Sequence, residues 1–189
     1  MLTSVLIGFV LLPLLVTASI AVVAEPPAGV IAYACVDSRA QVLLAYDNGK
    51  DRNGWAAFGG HGAKGESIAD TAAREFREET SCMFATPQPA DLEGRERSRV
   101  GPFYTYVAEV EYVDPAAIAA SSCGTIGERK DWIWVNLEDL VSALRSGDDV
   151  ADVQVANKSY PLWFAGRLSL QQALRDGLLP ESSAVCLPK

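Results

Sequence analysis

The chain has 189 residues, enough for one domain with its own core and too few for two, and its 49% hydrophobic and 21% charged content argues against disorder or a fibrous repeat. With 24 acidic against 16 basic residues the formal net charge is -8, a surface that repels polyanions and disfavours general nucleic-acid binding. A phosphate-bearing ligand then needs local compensation, from a basic patch or from bound cations.

Residues 1–24 carry no charged side chain, and the run 5–16 is apolar but for Gly8 and Pro13. Val16-Thr17-Ala18 and Val22-Val23-Ala24 both offer the small-residue pattern of a processing site, so the segment predicts a secretory signal peptide and export to the periplasm or medium. An uncleaved membrane anchor is the alternative, because no basic residue precedes the apolar run. Residues 25–189 read as a single domain. Its four cysteines, Cys35, Cys82, Cys123 and Cys186, would lie where disulfides persist, and their three complete pairings stay open. No CxxC occurs, and His61 is the sole histidine, so structural zinc is disfavoured.

After Pro26-Pro27, the runs 30–36 and 41–46 are rich in β-formers and predict a hairpin around Asp37-Ser38-Arg39. A polar stretch, 47–54, leads to a short apolar strand, 55–58, ending in Gly59-Gly60 and a loop to Gly65. From Ser67 the pattern becomes helical, with Ser67 as N-cap, Asp70 in the capping-box position and an end near Thr80. At about 100° per residue, Ala69, Ala72, Ala73, Phe76 and Thr80 share one arc, and Glu75, Glu78 and Glu79 the adjoining one. Residues 87–99 read as polar and turn-rich, 103–113 as a long strand, 115–127 as a small-residue connection and 132–135 as a further strand. Residues 137–144 and 168–174 have helical spacing, with 161–164 packed between them. Hairpin strands mixed with separated helices predict an α/β (α+β) sandwich around a mixed sheet.

Three glutamates at i, i+3 and i+4 repel one another by a few tenths of a kcal/mol per pair, and such a face is by itself usually a solvated one. Hard divalent cations bound to carboxylate oxygen would offset the repulsion and reverse the local charge, which makes Glu75, Glu78 and Glu79 a Mg²⁺ or Mn²⁺ platform able to hold a diphosphate. The spacing around them is specific: Gly60, five residues, Glu66, seven residues, then Arg74-Glu75-Phe76-Arg77-Glu78-Glu79, Thr80, Ser81 and Cys82. This resembles the box of the Nudix hydrolases, Gly-x5-Glu-x7-Arg-Glu-U-x-Glu-Glu-x-Gly-U with U bulky and apolar. Ser81 replaces the closing glycine, which favours positive φ after the helix, and Phe58 replaces the proline often found before the paired glycines.

The resemblance implies an α/β/α sandwich and metal-dependent hydrolysis of a pyrophosphate bond in a nucleoside diphosphate linked to another moiety. It implies that Glu75, Glu78 and Glu79 ligate metal with the backbone carbonyl of Gly60, and that Arg74 and Glu66 orient helix and loop. A distal carboxylate before a later Trp-Val-x-Leu strand often joins such sites. Glu128 is the first candidate here, with Glu109, Glu111 and Asp131 as rivals, and the general base is open between Glu75 and Glu128. His61 and Lys64 in the glycine loop are candidates to reach substrate oxygens, whereas Trp132, Trp134, Tyr160, Trp163 and Phe164 are expected to pack. A binding or regulatory domain that keeps the scaffold without turnover is the competing reading.

Overall fold

The computed structural model describes residues 25–47, 49, 52–123, 129–151 and 158–188. Its centre is the hairpin of β1 (Ala28–Val36) and β2 (Arg39–Asp47), in register from Tyr33 opposite Val42 to Val36 opposite Arg39. The two-residue connection works because Asp37 and Ser38 both take positive φ, 48° and 61°, the mirror-image turn that matches strand twist. Two three-residue strands, β3 (Gly54–Ala56) and β4 (Phe58–Gly60), separate at Ala57 and pair antiparallel with β2 and β1 respectively. The single strand expected over 55–58 is therefore two, each pairing with a different strand of the central hairpin.

Beyond them, β5 (Ser98–Val100) and β6 (Phe103–Glu109) form a second hairpin, and β6 runs parallel to β1. Finally β7 (Asp131–Asn136) pairs antiparallel with β2, giving a seven-stranded mixed sheet. A small separate pair, β8 (Val150–Ala151) and β9 (Ser159–Tyr160), lies outside it.

Alternation along β1 and β2 sends side chains to two cores. Val30, Ala32, Leu43 and Ala45 face the cluster that holds Phe76 of α1 (Ile68–Glu79), and Ile31, Val42 and Leu44 face the cluster of α4 (Leu137–Ser146) and α5 (Phe164–Arg175). The expected sandwich with helices on both faces of a mixed sheet is what these two clusters describe. Short helices α2 (Pro89–Leu92) and α3 (Pro115–Ala120) fall in stretches expected to be irregular. Asp114 accepts the Ala116 N–H and Pro115 stands at the first turn, two local signals strong enough to start a helix in an alanine-rich run. The strand expected to reach 113 ends at Glu109, although the Val110 N–H still bonds the Tyr33 carbonyl at 2.8 Å.

All four cysteines pair, Cys35 with Cys186 and Cys82 with Cys123, settling the open connectivity. Separations of 151 and 41 residues correspond, in the loop-entropy model, to about 5 and about 4 kcal/mol removed from the unfolded state's advantage.

Candidate active site

Helix α1 is set by its ends and its apolar face. The Ser67 hydroxyl accepts the Asp70 N–H while the Asp70 carboxylate accepts the Ser67 N–H, a complete capping box. Phe76 is 1% exposed and packs edge-to-face on Phe58 of β4, with ring centroids 5.2 Å apart, so the helix is fixed against the strand that ends in Gly59 and Gly60. That rotation turns Glu75 and Glu79 inward, at 8% and 3% exposure, and leaves Glu78 on the rim. At the far end Ser81 and Cys82 both take positive φ, 52° and 57°. The turn normally closed by glycine is kept, at some conformational cost, with Cys82 tied to Cys123 and the Ser81 carbonyl accepting the Ser121 hydroxyl.

Gly60 lies directly against Glu75. A Cβ there would stand 2.6 Å from Oε1 of Glu75, so a larger residue would push that carboxylate away from the strand end. Arg74 organises the remainder: its Nη1 donates to Glu75 at 2.9 Å and to Glu78 at 3.0 Å, and its Nη2 to the His61 carbonyl at 2.8 Å. Glu66 anchors the arginine through 2.7 and 3.1 Å bonds and also accepts the Ala63 N–H and the Thr71 hydroxyl. The guanidinium, with these N–H and O–H donors, holds the Glu66 carboxyl at about 2, well below the usual carboxylate range. One cationic nitrogen thus draws two box carboxylates together at the place where a bound cation would be useful.

Glu79 has a different partner. Arg129, 8% exposed, donates Nε and Nη2 to its two oxygens at 2.9 and 3.0 Å, and the Gly59 N–H adds a third bond at 2.8 Å. Burial pushes the Glu79 carboxyl up and the nearby Glu75 charge adds to this, opposed by the Arg129 charge and hydrogen bonds and by the Gly59 N–H. Trp132 donates its indole N–H to the Glu79 carbonyl at 3.0 Å, locking the last helical turn to β7. Sequence reasoning missed Arg129, because an arginine ahead of a strand carries no sign that it will fold back under a helix fifty residues earlier.

Gly60, Arg74, Glu75, Glu78 and Glu79 are thus brought together. Glu128 lies outside the described residues, next to Arg129 in the chain. Glu109 sits opposite Tyr33 in the β1–β6 register, at the end of β1 away from the Ala28–Gly60 pair, and Glu111 is exposed beyond it. Asp131 accepts its neighbour Trp132's N–H and is exposed. Lys64 is also exposed, while His61 lines the cavity described next. Among the described residues no group of three or more His, Cys, Asp or Glu side chains stands ready around a metal position, because the carboxylates are shared between Arg74 and Arg129. The oxygen donors of Glu75 and Glu78, beside the Gly60 backbone, nonetheless have the chemistry a hard divalent cation selects.

A cavity of about 270 Å³ opens beside this cluster, sharing Gly59, Gly60 and Arg129 with it. Phe103, Trp163 and Leu168 are among its walls, and Arg52 stands over the Trp163 ring at 5.7 Å. Trp132 and Trp134 pack as expected, the latter stacked on Tyr112 and donating to the Val113 carbonyl at 2.9 Å, whereas Trp163 faces the cavity and Phe164 is 73% exposed.

Comparison with known proteins agrees with the fold. The family model described as NUDIX domain matches residues 25–155. Among solved structures, a MutT/nudix family protein from Enterococcus faecalis is 21% identical with a TM-score of 0.52, covering 81% of this chain and 61% of that one. The NUDIX domain of Shewanella oneidensis NrtR, solved with ADP ribose, is 19% identical with a TM-score of 0.51, covering 86% and 94%. These two likenesses speak for the fold. A search of curated protein sequences returns no match.

Proposed function

The chain belongs to the NUDIX family and is a pyrophosphohydrolase of that family, and from this premise we propose that it hydrolyses a nucleoside diphosphate linked to another moiety, outside the cytosol, with Mg²⁺ or Mn²⁺. The observation that carries the proposal is the position of the Arg74 Nη1, 2.9 Å from a Glu75 oxygen and 3.0 Å from a Glu78 oxygen. These two carboxylates, already gathered around one positive atom next to the strand end at Gly60, would with the Gly60 carbonyl offer oxygen donors to a metal. When bound, the cation neutralises diphosphate charge and lowers the pKa of an attacking water.

The chain's own residues supply the order. Glu66 and the His61 carbonyl hold Arg74, which fixes the rotamers of Glu75 and Glu78 before substrate arrives. In the reaction the water oxygen bonds to one phosphorus, the bridging P–O bond breaks, and the bridging oxygen leaves on the other phosphate. A carboxylate takes the water's proton; Glu75 and Glu128 are the two candidates. Glu79 anchors Arg129 and would add a carboxylate to the set of Glu75, Glu78 and the Gly60 carbonyl that would hold the metal.

An oxidising compartment is supported by the two disulfides, which fits the export expected from residues 1–24. That segment lies outside the described residues, and we propose it as a leader ahead of one domain, 25–189. The partner is a small-molecule nucleotide or other diphosphate, and the net charge of -8 argues against nucleic acid.

A second reading, a ligand-binding domain without turnover, is favoured by one feature, the arginine that engages Glu79. Both are decided by screening the purified protein against nucleoside-diphosphate derivatives with Mg²⁺ or Mn²⁺, alongside Glu78→Gln and its Mn²⁺ affinity by electron paramagnetic resonance. Metal-dependent turnover that falls about a thousandfold in Glu78→Gln, roughly 4 kcal/mol of transition-state stabilisation, with weaker Mn²⁺ binding, is expected. Binding without turnover selects the second reading, and turnover indifferent to Glu78→Gln removes the catalytic assignment.

A further inference from the structure

Helix α1 ends in a way that its own residues do not favour. With Thr80 as C-cap, the Cys82 N–H returns to the Arg77 carbonyl at 2.8 Å and the Ser81 N–H to the Glu78 carbonyl at 3.2 Å, the paired bonds of a Schellman close. Such a close calls for glycine at the position of Ser81, yet two successive residues with side chains, Ser81 and Cys82, hold positive φ here. The turn they terminate carries Glu78 and Glu79, so the direction of both carboxylates depends on it. From outside the helix it is tied by the Trp132 indole on the Glu79 carbonyl, by the Ser121 hydroxyl on the Ser81 carbonyl, and by the Cys82–Cys123 bond. Ser121 caps α3, whose Ile118 is fully buried in the same core cluster as Phe76, and the Cys123 N–H bonds the Ser121 hydroxyl oxygen at 3.3 Å. The disulfide is thus moored to a fixed element. Cys35–Cys186 differs: it joins the end of β1 remote from Gly60 to the turn Ser183–Cys186, and both its cysteines are partly buried, whereas Cys123 is exposed.

We propose that Cys82–Cys123 is a redox-sensitive positioning bond: oxidised, it holds the strained Ser81–Cys82 close and with it the Glu78 and Glu79 carboxylates; reduced, it lets that turn fray and metal binding weaken. The inference rests on the metal-dependent reading above and adds a regulation to it. Glycine would keep this conformation unaided, while Ser81 and Cys82 are drawn back toward negative φ by their own Cβ atoms, which breaks the bonds to Arg77 and Glu78. The covalent tie supplies what the missing glycine does not. Phe76 and the capping box lie outside the affected turn, so the rest of α1 stays in place. The reductant is a small thiol: its thiolate attacks the exposed Cys123 Sγ, the Cys82 thiolate leaves and takes a proton, and a second thiol displaces the first from Cys123. Two electrons and two protons pass to the protein as two reductant thiols become a disulfide.

Mn²⁺ affinity by electron paramagnetic resonance and hydrogen–deuterium exchange at residues 78–83 test this in the purified parent, Cys82→Ala/Cys123→Ala, the same pair with Ser81→Gly, and Cys35→Ala/Cys186→Ala, with near-UV circular dichroism verifying their folding. Loss of Cys82–Cys123 should weaken Mn²⁺ about tenfold and speed exchange at 78–83 about tenfold. Adding Ser81→Gly should bring both back to within about twofold of the parent, and Cys35→Ala/Cys186→Ala should change neither by more than about twofold. In that last variant reduced glutathione should reproduce the loss and oxidised glutathione reverse it, a comparison that also stands if Cys82→Ala/Cys123→Ala does not fold. Affinity and exchange unchanged without the bond, no recovery with Ser81→Gly, an equal effect from Cys35→Ala/Cys186→Ala, or indifference to glutathione overturns the proposal. If the parent does not bind Mn²⁺, the metal-dependent reading fails by itself; faster exchange at 78–83 that Ser81→Gly slows then still upholds the positioning bond, and unchanged exchange rejects it.

Discussion

The acidic helix and the apolar cavity share Gly59, Gly60 and Arg129, yet they are assembled in opposite ways. The helix side is nearly contiguous, from Gly60 to Cys82, and its charges are arranged by hydrogen bonds among close neighbours such as Glu66, Arg74, Glu75 and Glu78. The cavity draws on β3, β4, β5, β6 and α5, so its shape depends on how distant segments approach. Chemistry that needs a fixed set of oxygens can be encoded by spacing along one element. Recognition of an organic group is encoded by packing between many.

Arg129 belongs to both halves, so its loss gives the largest effect and would blur the contrast. Arg129→Met leaves the buried Glu79 carboxylate with the Gly59 N–H as its remaining donor, and about 3 kcal/mol of stability should be lost in urea unfolding. Pyrophosphate and nucleotide binding should both weaken; weakening of only one would show that the two regions are less joined than their shared arginine suggests. A smaller change separates them. Gly166→Val should cost about 2 kcal/mol in the same measurement by forcing α5 off Ala56, and calorimetry should find nucleotide affinity reduced with pyrophosphate affinity intact.

The smallest effect isolates the helix side. The Glu66 carboxyl is held at about 2 in the folded protein against an ordinary value of 4.5, so the unfolded chain binds the proton more readily. Its contribution is therefore complete above about pH 5 and is lost as pH falls through 4.5 toward 2. At this partly exposed, solvent-screened pair it amounts to about 1 kcal/mol. The melting-temperature gap between parent and Glu66→Gln should accordingly be present at pH 6 and close by pH 2, while a gap that persists in acid would assign it to packing instead.

The same division explains what could be read from the sequence. Ser67 and Asp70 announced the start of α1 and the arc through Phe76 announced its buried face, because each of these relations spans few residues, while the roles of Gly60, Glu66 and Arg74 came only from the resemblance and their mutual contacts were not foreseen. Positive φ at Ser81 follows from the pattern's missing glycine in the same local way. Arg129 under Glu79 and the approach of Gly166 to Ala56 depend on contacts between segments far apart in the chain, and the separation of β3 from β4 at Ala57 depends on pairing with two different strands, relations for which periodicity carries no signal. Helix α3 was hidden for another reason: six small and apolar residues have too little period to distinguish a short helix from a linker.

The bond between Cys35 and Cys186 joins the central strand to the last turn of the described chain, across 151 residues. Covalently this bond closes a large ring, within which Cys82 and Cys123 close a smaller one. A single backbone cut anywhere between those cysteines opens the ring without dividing the molecule, so α5 stays attached to the sheet it covers. A copy nicked there keeps both the acidic helix and the wall opposite it until a reductant opens the bond.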